Sequence, residues 1–100
     1  MAKGVMVVQS GPVPGREQEY EEWHAGVHVP EVLEVPGFVG ARRYRAVDGD
    51  HHLTIYELEA EDLGAPLEEL RARSAAGRTT RSDTLRTDPP PVVRLYELVE

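Results

Sequence analysis

A chain of 100 residues suits one domain with a modest core, and its hydrophobic fraction of 40% is ordinary for a globular protein. The formal net charge of −7 disfavours nucleic acid as a partner, because phosphates would be repelled. The chain has no cysteine, which excludes disulfides and thiolate sites. No apolar run approaches a membrane span and no signal peptide is recognisable, so we expect a cytoplasmic protein without a membrane partner.

The first third of the chain predicts a strand followed by a helix. Residues 4–10 are rich in valine and precede Gly11-Pro12, as is typical of a strand. Residues 16–28 then carry apolar and aromatic side chains at helical spacing, on one stripe. The stripe comprises Tyr20, Trp23, His24 and Val27. Pro30 is expected to end this helix and to start a short turn, because proline has no N–H to donate to Gly26.

The remaining chain predicts three strands and a second helix. The order is a strand over 38–47, a strand over 52–59, a helix from residue 63 to about 74–77, an irregular segment over 78–91, and a strand over 92–99. Asp48-Gly49 is a hairpin signal, so the second and third strands should pair antiparallel. The stretch from Arg71 to Arg86 is rich in arginine, unlike the acidic first helix. Within it, Arg78 to Arg86 is a candidate anion-binding lid or a plain polar loop.

The predicted order βαββαβ is that of a ferredoxin-like α+β domain spanning residues 1–100. Such a domain has a four-stranded antiparallel sheet with two helices on one face. An antiparallel sheet normally leaves its other face polar. Strands 1, 3 and 4 instead carry apolar residues on both faces, and the chain has nothing left to cover the second one. We therefore predict a homodimer packed sheet to sheet into an α/β barrel.

The sequence resembles the dimeric α/β-barrel superfamily, and within it the EthD-like and small polyketide-cyclase or monooxygenase-type members. The resemblance is carried by Trp23, His28-Val29-Pro30, Pro36-Gly37-Phe38, the Ala41–Tyr44 stretch and Tyr56-Glu57-Leu58. One departure is His24, which stands where an aromatic residue is expected. The superfamily includes cyclases, isomerases, cofactor-free oxygenases and haem enzymes, so the resemblance implies a fold more specifically than a reaction.

The resemblance implies that His28 moves a proton or orients a ligand, and imidazole titrates in the range this needs. The candidate catalytic residues are His28, His24, Tyr44 and Arg42. The candidate substrate-binding residues are Trp23, Tyr20, Phe38, Tyr56 and Tyr96. In this scheme a phenol and a guanidinium hold an enolate or carboxylate oxygen while His28 acts as acid or base. Arg43 and Arg45 are expected on the opposite strand face, pairing with acids of a second subunit.

Several alternatives stay open at this point. His28 could simply cap the helix, His24 could be a core-edge side chain, and the tyrosines could be amphipathic residues at the sheet rim. A metal bound by His24 and His28 would need a third ligand, such as Tyr20 or Glu31.

For function, the sequence favours a cofactor-independent enzyme of secondary metabolism. Its substrate would be a polyketide-like, aromatic or enolisable small molecule, which it would cyclise, dehydrate or isomerise. The alternatives are a cofactor-free monooxygenase and a non-catalytic carrier.

Overall fold

The structure is a computed structural model that describes residues 1–100, and its elements follow the predicted order. The strands are β1 (Ala2–Ser10), β2 (Phe38–Arg45), β3 (His52–Ala60) and β4 (Val92–Glu97), and the helices are α1 (Glu17–Trp23), α2 (Val29–Leu33) and α3 (Ala65–Ala75). A π-helical turn, His24–His28, joins α1 to α2 without a break. None of the helices is long and apolar enough to cross a membrane.

The four strands form one antiparallel sheet in the order β2-β3-β1-β4, which confirms the ferredoxin-like α+β fold. Met6 of β1 lies opposite Tyr56 of β3, and both side chains are buried beneath the helices. The core is one apolar cluster between this face and the helical layer. It contains Met6, Val29, Val32, Val35, Phe38, Tyr56 and Leu58.

The expectation that Pro30 ends the first helix is wrong. The helix runs on through Pro30 to Leu33, because the preceding turn is π-helical. The N–H of Val29 donates to the carbonyl of His24, five residues back. In an α-helix the proline ring would clash with the carbonyl four residues earlier, and a widened turn relieves such a clash. The wide turn therefore lets His24, His28 and Glu31 share one continuous helical element.

The expected orientation of β2 is also wrong beyond its first residue. The pairing with β3 shifts by one residue between Phe38 and Gly40, which is the signature of a β-bulge. Because side chains alternate along a strand, one extra residue moves all later side chains to the opposite face. Phe38 thus lies in the core as expected, whereas the residues from Ala41 onward are reversed.

The reversal places Arg43 and Arg45 on the face of the sheet that meets the helices, where Arg43 is half-buried and Arg45 stays exposed. They lie opposite Thr54 and His52 of β3, whose side chains are buried on that face. Arg42 and Tyr44 instead point to the open face of the sheet, opposite Ile55 and Leu53.

Segment 78–91 is irregular, as predicted, but it is tied to the rest of the fold. A β-bridge pairs Leu85 with Pro12, next to the end of β1. Backbone N–H groups of Val13 and Arg86 donate to the carbonyls of Thr84 and Gly11. The segment therefore runs back from α3 to β4 along a fixed path.

Candidate functional site

A cavity of about 230 Å³ lies between the sheet and the helices, and 7 of its 13 lining residues are hydrophobic. Apolar walls come from every layer: Met6 and Val8 of β1, Val32 of α2, Leu67 and Leu70 of α3, and Val93 of β4. The polar lining groups include His28, Glu31, Tyr56 and Arg71. A cavity with apolar walls and a few convergent polar groups is the usual form of a small-molecule site.

A larger cleft of about 450 Å³ opens near the β2–β3 hairpin, between Glu17, Glu21, Arg45, Asp50 and His52. None of its lining residues is hydrophobic. It lacks the apolar surface that holds an organic ligand against water, so the smaller cavity is the better candidate.

His28 enters the cavity from the end of the π-helical turn. Its ring stacks on that of Trp23, with centroids 4.9 Å apart and planes inclined by 26°. Burial lowers the pKa of His28 below its usual range, and the nearby Glu31 carboxylate opposes this shift. His28 is therefore a neutral imidazole at neutral pH and can accept a proton.

Tyr56 enters the same cavity from β3, and it is 1% exposed. Phe38 supports it edge to face, with centroids 5.8 Å apart. Burial raises the pKa of the Tyr56 phenol above its usual range. The phenol therefore stays protonated and can donate a hydrogen bond to a ligand oxygen.

His24 lies behind His28 rather than in the cavity wall. The rings are 5.3 Å apart, and His24 is 2% exposed. Arg43 Nε donates to His24 Nδ1 at 2.8 Å, which leaves the ring proton on Nε2. Burial, together with repulsion from His28, Arg43 and His52, lowers the pKa of His24 to about 3.

The groups around His24 form a polar cluster beneath α1. Glu21 Oε1 lies 2.9 Å from Arg43 Nη2 and 3.3 Å from Nδ1 of His52. Tyr20 is fully buried, stacks on His24 and shares a 2.8 Å hydrogen bond with the hydroxyl of Ser10. This cluster holds the base of the π-helical turn, and hence His28, in position.

Segment 78–91 contacts the cavity through a group that we name the Thr80 latch, formed by Thr80, Glu31 and Trp23. The backbone N–H of Thr80 donates to both Glu31 carboxylate oxygens at 3.0 and 3.1 Å, and its hydroxyl donates to one at 2.9 Å. Trp23 Nε1 donates to the Thr80 carbonyl at 3.1 Å. Thr79 and Pro91 of the segment line the cavity, so the latch holds one of its walls.

The structure brings together some of the predicted site residues and separates others. His28 and Tyr56 line the cavity, while Trp23, His24 and Phe38 support them from behind. Tyr20 belongs to the polar cluster.

Three residues expected in the pocket lie on the open face of the sheet: Arg42, Tyr44 and Tyr96. The bulge moves the first two. Tyr96 lies opposite Val5, which faces away from the helices because its neighbour Met6 is buried beneath them.

Two residues of the site were not predicted from the sequence: Arg43 in the polar cluster and Arg71 in the cavity. A glycine inside a strand often marks a bulge, so Gly40 was the available signal for Arg43. Leu67, Arg71 and Ser74 are spaced at i, i+4 and i+7, so the apolar stripe of α3 already places Arg71 on the cavity side. The structure holds no group of three or more His, Cys, Asp or Glu side chains that could bind a metal ion.

No protein-family model and no curated protein sequence matches the chain. Solved structures do match. A Bordetella bronchiseptica protein that carries the name of an antibiotic biosynthesis monooxygenase has a TM-score of 0.62 and 17% identity over 100% of both chains. A Bacillus halodurans protein of the EthD family has a TM-score of 0.63 and 13% identity, covering 96% of this chain and 99% of that one.

A third match is a Streptomyces coelicolor monooxygenase in complex with nanaomycin D, with a TM-score of 0.54 and 22% identity, covering 97% of this chain and 88% of that one. The chain shares the fold of these proteins. The likeness to EthD-like and monooxygenase-type proteins inferred from the sequence is thus confirmed at the level of the fold. Identities of 13% to 22% show a shared fold and assign no role to any residue of this chain.

Proposed function

We propose that the chain is a small cofactor-free monooxygenase of secondary metabolism that oxidises a hydroxylated aromatic compound. The observation that carries the proposal is a neutral histidine and a protonated tyrosine in one largely apolar cavity. The fold is shared with proteins named as monooxygenases, one of which binds nanaomycin D, and this favours oxygenation over the cyclisation that the sequence first suggested.

The reaction needs a base and an electron-rich substrate. His28 accepts the proton of an aromatic hydroxyl, and the resulting phenolate transfers an electron to O2. The two radicals combine at an aromatic C–H carbon to form a peroxide anion, which takes the proton back from His28 and becomes a hydroperoxide. The hydroperoxide loses the C–H proton, its O–O bond breaks, and water departs to leave a quinone. One oxygen atom of O2 enters the product, the other leaves as water, and the substrate supplies all the electrons.

Tyr56 holds the developing negative charge in this scheme. Its buried phenol remains protonated, so it can donate to the phenolate oxygen when His28 has taken the proton. The apolar walls exclude water, which strengthens this hydrogen bond. Trp23 fixes the plane of the His28 ring by stacking.

The test is oxygen uptake with 1-naphthol as the probe substrate. We expect the wild type to consume O2 and to release 1,4-naphthoquinone and water in equal amounts. His28→Ala should reduce the rate about 10²–10⁴-fold, the usual contribution of a general base. Tyr56→Phe should reduce the maximal rate without a comparable loss of binding, because it removes only the donor.

The control is His51→Ala, since His51 is exposed in the hairpin outside the cavity. A product of unchanged or water-shifted mass would contradict oxygenation and support the cyclase or isomerase. Binding of the naphthol without turnover, equal in wild type and His28→Ala, would support the carrier.

A further inference from the structure

The two charged side chains that line the cavity do not pair with each other. Besides His28, the lining contains one acid, Glu31, and one permanent cation, Arg71. Both carboxylate oxygens of Glu31 already accept hydrogen bonds from Thr80. Arg71 forms none of the ion pairs of the structure, all of which join other residues. The cavity therefore presents a guanidinium that forms a salt bridge with no carboxylate of the chain.

The neighbouring arginines divide into paired and unpaired groups. Arg73 pairs with Glu69 at 2.8 Å, and Arg86 pairs with Asp50. Arg71, Arg78 and Arg81 have no acidic partner. In a chain of net charge −7, this leaves a local positive region where α3 meets segment 78–91. Of the three, only Arg71 lines the cavity.

Arg71 occupies the rim of the cavity rather than its interior. The residue is exposed, yet it shares the inner stripe of α3 with Leu67 and Ser74. A guanidinium at a cavity rim can bind a carboxylate with two parallel hydrogen bonds while the apolar part of the ligand fills the interior. His28, being neutral, adds no competing positive charge inside.

We propose that Arg71 binds an acidic group of the substrate, so that the cavity takes a one- or two-ring aromatic compound carrying a carboxylate. The hydroxylated, oxidisable character of that compound rests on the proposed function, but the acidic group rests on Arg71 alone. The size fits: a cavity of about 150 Å³ holds benzene and drug-sized ligands need about 300 Å³ or more, whereas this one measures about 230 Å³. The carboxylate lies at the rim and the rings lie against the leucines of α3.

The test compares two ligands that differ only in charge, 1-hydroxy-2-naphthoate and its methyl ester. Binding is measured by calorimetry without oxygen, so that no turnover is needed. We expect the wild type to bind the acid about 10-fold more tightly than the ester, since a charge-assisted pair at an exposed rim is partly screened. Arg71→Gln should lose this preference because it binds the acid more weakly and the ester unchanged. Arg71→Lys should keep part of the preference.

The matched control is Arg81→Gln, which removes an unpaired arginine outside the cavity. It should keep the wild-type preference for the acid. The proposal is overturned if Arg71→Gln binds the acid as the wild type does, if wild type prefers neither ligand or binds neither, or if Arg81→Gln loses the preference equally. Arg71-dependent binding without oxygen uptake in air would instead overturn only the proposed oxygenation.

Discussion

At the scale of single residues, His24 is a histidine whose surroundings prevent it from becoming charged. Arg43 donates to its Nδ1, and Tyr20 covers one side of its ring. Burial lowers the pKa of His24, and repulsion between its proton and both His28 and Arg43 lowers it further. A neutral His24 in turn adds no repulsion against a proton on His28. The histidine that replaces an aromatic residue at position 24 thus provides an acceptor for the half-buried Arg43.

We expect the free energy of unfolding to fall as the pH decreases from about 6.5 towards 3. Folded His24 has a pKa of about 3, against 6.5 for an ordinary histidine, so the unfolded state binds more protons between these values. His28 and His52, whose pKa values are also lowered, act with the same sign. Urea unfolding at a series of pH values measures the slope of the unfolding free energy against pH. One histidine contributes at most about 1.4 kcal/mol per pH unit to this slope.

The variant His24→Asn keeps an oxygen acceptor for Arg43 but removes the titration. Its stability should depend less steeply on pH over this range than that of the wild type. His51→Gln, in the exposed hairpin, serves as the control and should retain the wild-type slope. Equal slopes for His24→Asn and wild type would show that His24 is not held neutral in the folded protein.

At the scale of elements, periodicity was sufficient to predict the order of strands and helices but not their local irregularities. The stripe from Tyr20 to Val27 and the leucines of α3 identified the helices, because burying one face imposes that spacing. The bulge after Phe38 depends on how β2 pairs with β3, and the only local sign of it is Gly40 inside the strand. The bulge alone determines that Arg43, and not Arg42, faces the helices.

Sequence patterns encode local spacing but not tertiary contacts, and this explains which site residues were predicted. His28 and Trp23 belong to a local motif within one helical element, so their proximity follows from sequence spacing. Tyr56 and Arg71 reach the cavity from elements distant in sequence, and only tertiary packing places them together. Tyr56 was nevertheless among the candidates because its phenol could hold a ligand oxygen.

The Thr80 latch predicts how segment 78–91 responds when its anchor is removed. Glu31→Ala deletes the acceptor of both Thr80 donors, so the backbone amide of Thr80 should exchange with solvent faster. Because the bonds are exposed, the loss of unfolding free energy should be only about 1 kcal/mol. Amide exchange followed by NMR measures the first effect, and urea unfolding measures the second.

Glu34→Ala is the matched control for the latch. Glu34 is an exposed glutamate of the same helical element, and its side chain has no hydrogen bond to the chain. Its loss should leave exchange at Thr80 unchanged. Protection of the Thr80 amide that survives Glu31→Ala would mean that other contacts hold the segment in place.

At the scale of the whole molecule, the sheet has one face under the helices and one face uncovered. Tyr44 and Tyr96 on the uncovered face are 47% and 51% exposed. Val5, Leu53 and Ile55 alternate with buried neighbours, so they lie on this face as well. An extended apolar face of this kind commonly marks an interface with another chain. The sheet-to-sheet homodimer inferred from the sequence stays a prediction.

Light scattering after size-exclusion chromatography tests the homodimer. The wild type should elute with the mass of two chains. Tyr96→Glu should shift it towards one chain, because a buried carboxylate in an apolar interface is costly to desolvate. Leu33→Glu places the same charge at an exposed apolar position of α2 and should remain dimeric. A wild type that has the mass of one chain at every concentration would contradict the prediction.

The wide turn at His24–His28 also bears on which changes this helix tolerates. In a regular α-helix the ring of Pro30 would clash with the carbonyl four residues earlier, so a change that narrows the turn would break the helix at Pro30. Because His28 ends this turn and lines the cavity, narrowing the turn would displace His28 even where no lining residue is replaced.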